Sequence, residues 1–357
     1  MDIDDINLKS YGLTAELERK ASEYTNLFVC RVTEQHRDLY KVVGVKGEID
    51  AFVSGKFAYD VVDQVDFPSV GDWVMVDRCH DNLGNAVIHH VLARKGVLTR
   101  KSAGITSTGQ VIAANIDTIF ICMSLNDDFN IRRIERYLTL AWESNAAAVI
   151  VLTKSDLCED LDDKLSELTT VSVGVDVVVC SSESGDGYDN ISSYISDGKT
   201  TAFIGSSGVG KSTLVNGLMG QQFMLTNEIR QDDSKGKHTT THRQLLLLPN
   251  GGIVIDTPGM RELQLSGEDV SRTFKDIEDL ARSCKFRDCS HKLEPGCVIR
   301  EAVKNGSLSQ SRFESYKKLQ REAYYFEIRQ RQLENQKIKN VSGNKKDRNY
   351  KNKKERR

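Results

Sequence analysis

The pattern G-x-x-x-x-G-K-[ST] is met in full by Gly205-Ser206-Ser207-Gly208-Val209-Gly210-Lys211-Ser212, with Thr213 following. Those residue types suit a bound triphosphate. Glycines let successive backbone N–H groups curl around phosphate oxygens, and a helix starting at the end of the loop adds its positive dipole. Lys211 is then placed to reach the β and γ phosphates, and the Ser212 hydroxyl to hold Mg²⁺. The flanks agree: Ala202-Phe203-Ile204 reads as a short strand and Thr213–Met219 as the start of a helix. A second constellation, Cys284-x₄-Cys289-x-His291-x₅-Cys297, offers three thiolates and one imidazole, a set suited to tetrahedral structural Zn²⁺. Four protein ligands leave no open position for a metal-bound water, which argues against zinc hydrolysis. The H-x-E plus P-C-x-x-C pattern of zinc deaminases is also missing. The other five cysteines, Cys30, Cys79, Cys122, Cys158 and Cys180, are scattered singly and read mostly as small buried hydrophobes.

Asp256-Thr257-Pro258-Gly259 follows an apolar strand 46 residues after Gly210, where a D-x-x-G switch would bring Asp256 to the Mg²⁺ shell and the Gly259 N–H to the γ-phosphate. Between the two lies Lys235-Gly236-Lys237-His238-Thr239-Thr240-Thr241-His242-Arg243, in which Thr240 or Thr241 would close onto Mg²⁺. Selecting guanine takes an Asp carboxylate that accepts from the ring N1–H and the exocyclic amine, a donor pair adenine lacks. Downstream of Gly259 the literal match Asn344-Lys345-Lys346-Asp347 sits in a basic tail with no strand before it, and is rejected. Upstream, Ala146–Leu152 runs directly into Thr153-Lys154-Ser155-Asp156, and the strand Asp176–Cys180 opens into Ser181-Ser182-Glu183-Ser184-Gly185, suited to presenting an N–H to guanine O6. Both elements stand at the C-terminal ends of strands, where α/β sheets bind ligands. The order is base, base, phosphate, switch, switch: a circularly permuted GTPase. Met260 occupies the place after the D-x-x-G glycine, and a thioether cannot orient water. Turnover alone is therefore expected to be slow, with His238 as a candidate helper or else a solvated loop histidine.

These residues need elements to hold them. Leu27–Val32, Leu39–Val45, Ile49–Val53, Asp72–Val76 and Ala86–Val91 read as five short strands, which suggests a small closed OB-like β-barrel of the kind that binds RNA. Phe28, Tyr40, Phe52, Phe57, Tyr59 and Trp73 would give it either stacking faces or core. Arg94, Lys95, Arg100 and Lys101 mark a basic connector, after which the rhythm is α/β. Asp117–Met123 suits a strand buried on both faces. Ile131, Ile134, Tyr137, Leu138 and Ala141 recur at helical spacing, and Gln244–Leu248 and Ile253–Asp256 flank a hairpin turn. Phe274, Ile277, Leu280 and Ala281 before the cysteine cluster, and Phe313, Tyr316, Leu319 and Ala323 after it, space as amphipathic helices around the ion. The expected layout is a leader over 1–26, the barrel over 27–100, the permuted GTPase over 105–266, a helical zinc-binding module over 267–336, and a basic tail over 337–357. The segment after Gly259 leaves through Leu263 and Leu265 into the zinc module, so loss of the γ-phosphate would loosen a segment tied to it.

The 357 residues are 39% hydrophobic and 28% charged, which excludes wholesale disorder and a membrane bundle. No apolar run reaches the ~18–20 residues of a spanning helix, and the acidic start is unlike a signal peptide. The net charge of −2 hides a tail, Lys337–Arg357, of net +8 on a body of −10. That suits a polyanionic partner or a solvated terminus, as do Arg282, Lys285, Arg287, Lys292 and Arg300 around the cysteine cluster.

On Thr153–Asp156, Gly205–Thr213, Gly236–Thr241, Asp256–Gly259 and Cys284/Cys289/His291/Cys297 with Glu294-Pro295-Gly296, the chain resembles the ribosome small subunit-dependent GTPase family, of RsgA type, from about residue 25 to 330. The resemblance implies an OB-fold barrel, GTP hydrolysis to GDP stimulated by the small ribosomal subunit, ribosomal RNA contact and a role in late maturation of that subunit. It also maps the family's switch histidine onto His238. Departures are Thr153, where Asn is commoner, and Lys237, where Arg is frequent. The expected protein is a cytoplasmic monomer using GTP/GDP, Mg²⁺ and one Zn²⁺, with no membrane partner. The rival readings are a P-loop ATPase and a zinc-bearing RNA-binding protein that keeps GTP as a structural ligand.

Overall fold

The structure is a computed structural model that describes residues 5–36, 39–61, 63–80, 84–101, 109–220, 243–256 and 267–325, with 328 and 331. The chain divides into two compact units, Met1–Leu263 and Gln264–Arg357.

The first unit begins with a barrel of five strands, β1 (Phe28–Gln35), β2 (Tyr40–Gly44), β3 (Gly47–Val53), β4 (Trp73–Val76) and β5 (Ala86–Val91). They follow one another in space as β1-β2-β3-β5-β4, and β4 pairs back onto β1 to close the ring. Only β3 and β5 run parallel. Side chains two apart on each strand fill the interior: Cys30 and Val32, Tyr40 and Val42, Ile49 and Ala51, Val74 and Val76, Ala86 and Ile88. The two-residue period of a strand delivers them to one face. The intervening Trp73 and Met75 point outward and are covered by Leu8, Ala21 and Leu92, so the N-terminal segment, with its helix Ala15–Ala21, packs on the barrel wall.

The connector that the sequence marked as basic is partly strand. Val97–Lys101 (β6) pairs with Gly109–Ala114 (β7) in a separate antiparallel ribbon. Two of its cations are paired: Arg94 lies bidentate on the buried Asp72 at 2.8 and 2.7 Å, and Lys95 reaches Asp117 at 2.6 Å.

An open α/β sheet follows, in the order β10 (Asp176–Val179), β9 (Ala147–Thr153), β8 (Thr118–Ser124), β11 (Thr200–Ile204), β13 (Ile253–Asp256) and β12 (Arg243–Leu247). The first five are parallel and β12 is antiparallel to β13. Every residue of β8 is buried, as expected of a central strand with helices on both faces. Ile131–Glu143 is a helix, and Ile131, Ile134, Tyr137, Leu138 and Ala141 form its buried stripe. One strand serves barrel and sheet together. One side of β1 pairs with β2, while the other pairs with β4 over Phe28–Arg31 and with β12 at Glu34 and Gln35. Arg31, wholly buried in that strand, donates to the carbonyls of Gly71 and Tyr11 and, at 2.8 Å, to the Thr200 hydroxyl at the start of β11.

In the second unit the helices Gly267–Thr273, Lys275–Arg282 and Val298–Lys304, with helical residues 310–325, bury Phe274, Ile277, Ile299, Phe313, Tyr316, Leu319 and Ala323. Arg312 closes this core, bidentate on Asp276 at 2.8 and 2.7 Å and 4.9 Å from the Phe274 ring centre.

Candidate nucleotide and metal sites

Because β8, β9, β10, β11 and β13 are parallel and in register, their C-terminal ends open on one edge of the sheet. The Thr153-Lys154-Ser155-Asp156 turn leaves β9 there, the Ser181–Gly185 loop leaves β10, Gly205–Gly210 leaves β11 and Asp256 ends β13. Elements as far apart in sequence as Thr153 and Asp256 thus stand on one edge of the sheet, with β8 and β11 between their strands.

The phosphate loop is bound by sterics as well as by conformation. Gly208 and Gly210 have φ of +80° and +95°, and a Cβ on Gly205 would stand 2.6 Å from the Cys122 carbonyl oxygen. Helix Lys211–Met219 begins directly after Gly210. Lys211 folds back along the loop, Nζ donating to the carbonyls of Gly205 at 2.8 Å and Ser206 at 2.7 Å. Burial pushes its pKa down, opposed by Cys122 and Asp256.

Asp256 carries the clearest mark of a ligand. Its Oδ2 is buried and is the one buried side-chain polar atom without a hydrogen-bond partner among the described residues. Burial raises its carboxyl to about 6, with Lys211 pulling the other way. A buried carboxylate oxygen with no donor costs on the order of 1–3 kcal/mol unless something binds it. A divalent cation shared with the Ser212 hydroxyl, in the first turn of helix Lys211–Met219, fits that demand, and one bound there would hold the carboxylate ionised.

On the base side, Ser181 Oγ donates to Asp156 Oδ1 and accepts the N–H groups of Glu183 at 3.1 Å and Ser184 at 3.4 Å. The Ser155 N–H donates to the Cys180 carbonyl at 3.2 Å, so the two loops are stitched together. Lys154 sits in the left-handed region at φ +58°. Thr153, 1% exposed, donates its hydroxyl to the Val209 carbonyl at 2.6 Å and so fastens the base motif to the phosphate loop. Where Asn is commoner in the motif, this threonine makes a tethering bond. A cleft of about 520 Å³ lies between the Ser182–Gly185 loop and the helix residues Thr213, Asn216 and Gly217, with Tyr188 in its wall. Tyr188 reaches Ser182 Oγ at 3.0 Å, and its ring fills the space that a Cβ on Gly217 would need, 2.2 Å away. Tyr188 and Gly217 carried no sequence signal, since their role exists only where two helices meet.

His238, Thr240, Thr241, Gly259 and Met260 lie outside the described residues, as does the tail 337–357.

In the second unit Cys284, Cys289, His291 and Cys297 converge, with their ligand atoms all within 4.8 Å of one another. Cys284 Sγ is 4.0 Å from Cys297 Sγ, and His291 Nδ1 is 3.7 and 3.4 Å from those two sulfurs. Tetrahedral Zn²⁺ with bonds of about 2.0–2.3 Å sets its ligands roughly 3.5–3.8 Å apart, so the four residues fit a zinc ion with little adjustment. Burial pushes the Cys284 thiol up, but the N–H groups of Ile299 and Val298, together with hydrogen bonds from Cys297 and Cys289, bring its pKa below the ordinary value. Glu294 orders the loop by accepting from Ser290, Lys292 and Leu293; the Ser290 hydroxyl leads these bonds in bringing its carboxyl to about 2.

Two further expectations resolve. Tyr40 and Trp73 are buried in or on the barrel core, whereas Phe28, Phe52 and Tyr59 are exposed. Arg282, Lys285, Arg287, Lys292 and Arg300 are all exposed around the cysteine cluster, joined by Phe286. Among the described residues, no helix is long and apolar enough to cross a membrane.

The family model for the RsgA GTPase matches residues 91–266. A model for the ABC transporter matches residues 188–350, a span that includes the phosphate loop but neither Thr153 nor Asp156. Small ribosomal subunit biogenesis GTPase RsgA 2 of Lactiplantibacillus plantarum is 51% identical over 340 residues, covering 95% of this chain and 96% of that one. Small ribosomal subunit biogenesis GTPase RsgA 1 of Listeria innocua is 43% identical over 320 residues, 89% and 90% of the two chains. Among solved structures, YjeQ from Thermotoga maritima superposes with a TM-score of 0.61 at 30% identity, over 84% of this chain and 99% of that one. YloQ, described as a circularly permuted GTPase, gives 0.58 at 26% identity over 84% and 96%.

Proposed function

This chain belongs to the RsgA GTPase family, and from that membership we propose how its residues hydrolyse GTP in the biogenesis of the small ribosomal subunit. The observation that carries the reading is the bond from Thr153, in a base-reading motif, to Val209, 56 residues later in the phosphate loop. Asp156 accepts from guanine N1–H and the exocyclic amine. The Ser181 N–H is engaged by the Asp186 carbonyl, so Ser182 supplies the donor to guanine O6. Lys154 flanks the base. The N–H groups of Gly205–Thr213 hold the phosphates and Lys211 neutralises the β and γ oxygens. Ser212, Asp256 and one of Thr240 or Thr241 hold Mg²⁺, which when bound offsets charge on the terminal phosphates. Gly259 senses the γ-phosphate and His238 assists water.

The zinc module and the barrel are the contact surfaces in this reading, and we keep the boundaries at 27–100, 105–266 and 267–336 as working domains. Cys284, Cys289, His291 and Cys297 hold Zn²⁺. Exposed cations beside Phe286, and the exposed barrel rings Phe52 and Tyr59, suit ribosomal RNA, backbone to charge and base to ring. The protein acts as a cytoplasmic monomer on the small subunit. Measured GTP turnover with and without purified small ribosomal subunits tests this: subunits should raise the rate at least tenfold, and an unaltered rate would favour GTP as a structural ligand. ATP outcompeting GTP would return the site to an ATPase.

A further inference from the structure

Arg132 and Arg133 occupy the first turn of helix Ile131–Glu143, which holds no acidic residue there and where the helix dipole disfavours cations. Arg132 is offset by the buried Glu135, three residues on. Arg133 turns instead toward the phosphate loop. Its guanidinium donates to Ser206 Oγ at 3.1 Å and to Asp128 Oδ2 at 3.1 Å, and the Ser206 hydroxyl donates to the same Asp128 oxygen at 3.3 Å. Ser206 therefore stands between two cations, since Lys211 Nζ donates to its carbonyl at 2.7 Å.

The two ends of the loop are distinguishable. Val209 is the end tied to the guanine motif through Thr153, whereas Gly205 and Ser206 hold the Lys211 ammonium, beside Asp256. Terminal phosphates thus belong at the Ser206 end, within reach of a long, half-exposed arginine side chain. Asp128 is a poor neighbour for a γ-phosphate and a good temporary partner for the guanidinium.

We propose that Arg133 is a catalytic residue for GTP hydrolysis, an arginine supplied in cis that leaves Asp128 for the γ-phosphate when GTP is bound. The proposal rests on the nucleotide site assigned above. As the water oxygen bonds to the γ-phosphorus, the bond to the β–γ bridging oxygen breaks. Its electron pair leaves with GDP, and the proton of water passes to phosphate or solvent. Arg133 exchanges no proton; it balances the charge on the transferring group, the role that arginines in trans or in cis fill in other GTPases.

The full-length protein, Arg133→Ala and Arg133→Lys are compared by three readouts: affinity for fluorescent GDP, single-turnover GTP hydrolysis, and retention of GDP with aluminium fluoride, which mimics the transferring phosphoryl group. Arg133→Ala is expected to bind GDP within twofold of the parent, to hydrolyse GTP at least tenfold more slowly and to lose aluminium fluoride capture. Arg133→Lys should recover part of both. Unchanged hydrolysis and capture in Arg133→Ala would overturn the proposal. So would GDP affinity falling in step with hydrolysis, because the arginine would then only clamp the loop. A parent protein that fails to bind GDP would instead bring down the nucleotide site itself, and the proposal with it.

Discussion

Replacing Thr153 with valine keeps the shape of a side chain only 1% exposed and removes one hydroxyl. That hydroxyl donates to the Val209 carbonyl at 2.6 Å, in a residue with no exposure of its own. A buried carbonyl left without its donor costs about 1–3 kcal/mol. The bond joins the guanine motif to the phosphate loop, so part of that cost reappears as a loop that must be ordered again when nucleotide binds. Taking roughly 1.4 kcal/mol as the share borne by binding predicts about a tenfold rise in Kd for GDP. Thr153→Ser retains the hydroxyl and should stay within twofold of the parent. Titration of the three proteins with fluorescent GDP, beside their urea unfolding midpoints, separates a weakened site from a weakened fold. If Thr153→Val binds GDP as tightly as Thr153→Ser, the tether has no part in holding the nucleotide.

Asp156→Asn should weaken GTP binding by about 100-fold or more, since a site built around a hydrogen-bonding pair rejects the mismatched partner strongly. The same variant should accept xanthosine triphosphate, and equal GTP affinity in competition binding would place guanine elsewhere. Asp256, raised to about 6 in the fold, keeps a proton that the unfolded chain releases near its ordinary 3.8. Stability of the metal-free protein should therefore fall as pH rises from about 4 to 6, and Asp256→Asn should flatten that slope in denaturant titrations. Chelating zinc should unfold residues 267–325, whose small core cannot stand alone, with loss of helical circular dichroism. A spectrum indifferent to chelator would show that the cysteines hold nothing the fold needs.

Strands and motifs were legible where local pattern decides the outcome. Pairs such as Val42 with Tyr40 or Ile49 with Ala51 announce a half-buried strand because the period of two is built into the backbone. The phosphate loop and the cysteine cluster were legible because their chemistry tolerates few residue types. What escaped depends on distant partners. Val97–Lys101 reads as a connector until Gly109–Ala114 is beside it, and Arg94 reads as a free cation until Asp72 is found buried under it. Trp73 could stack on a base or pack in a core, and only Leu8 and Ala21 lying across it decide the matter. Arg133 carries no signal in the sequence, since its nearness to Ser206 is set by how β8 and β11 align.

The pairing of β1 with β12 bears on how much free strand backbone the sheet offers. Among the described strands the α/β sheet ends on one side at β10, four residues long, and on the other at a closed barrel, so it offers a second molecule very little free backbone. That seal joins Glu34 to Gln244, far apart in the chain, and the ribosome must make the barrel long before β12 emerges. Until then the outer rim of β1 at Glu34 and Gln35 is guarded by a charge rather than by a neighbour. Nascent chains paused short of residue 243 should be the aggregation-prone ones, and completing β12 is what closes the exposed flank.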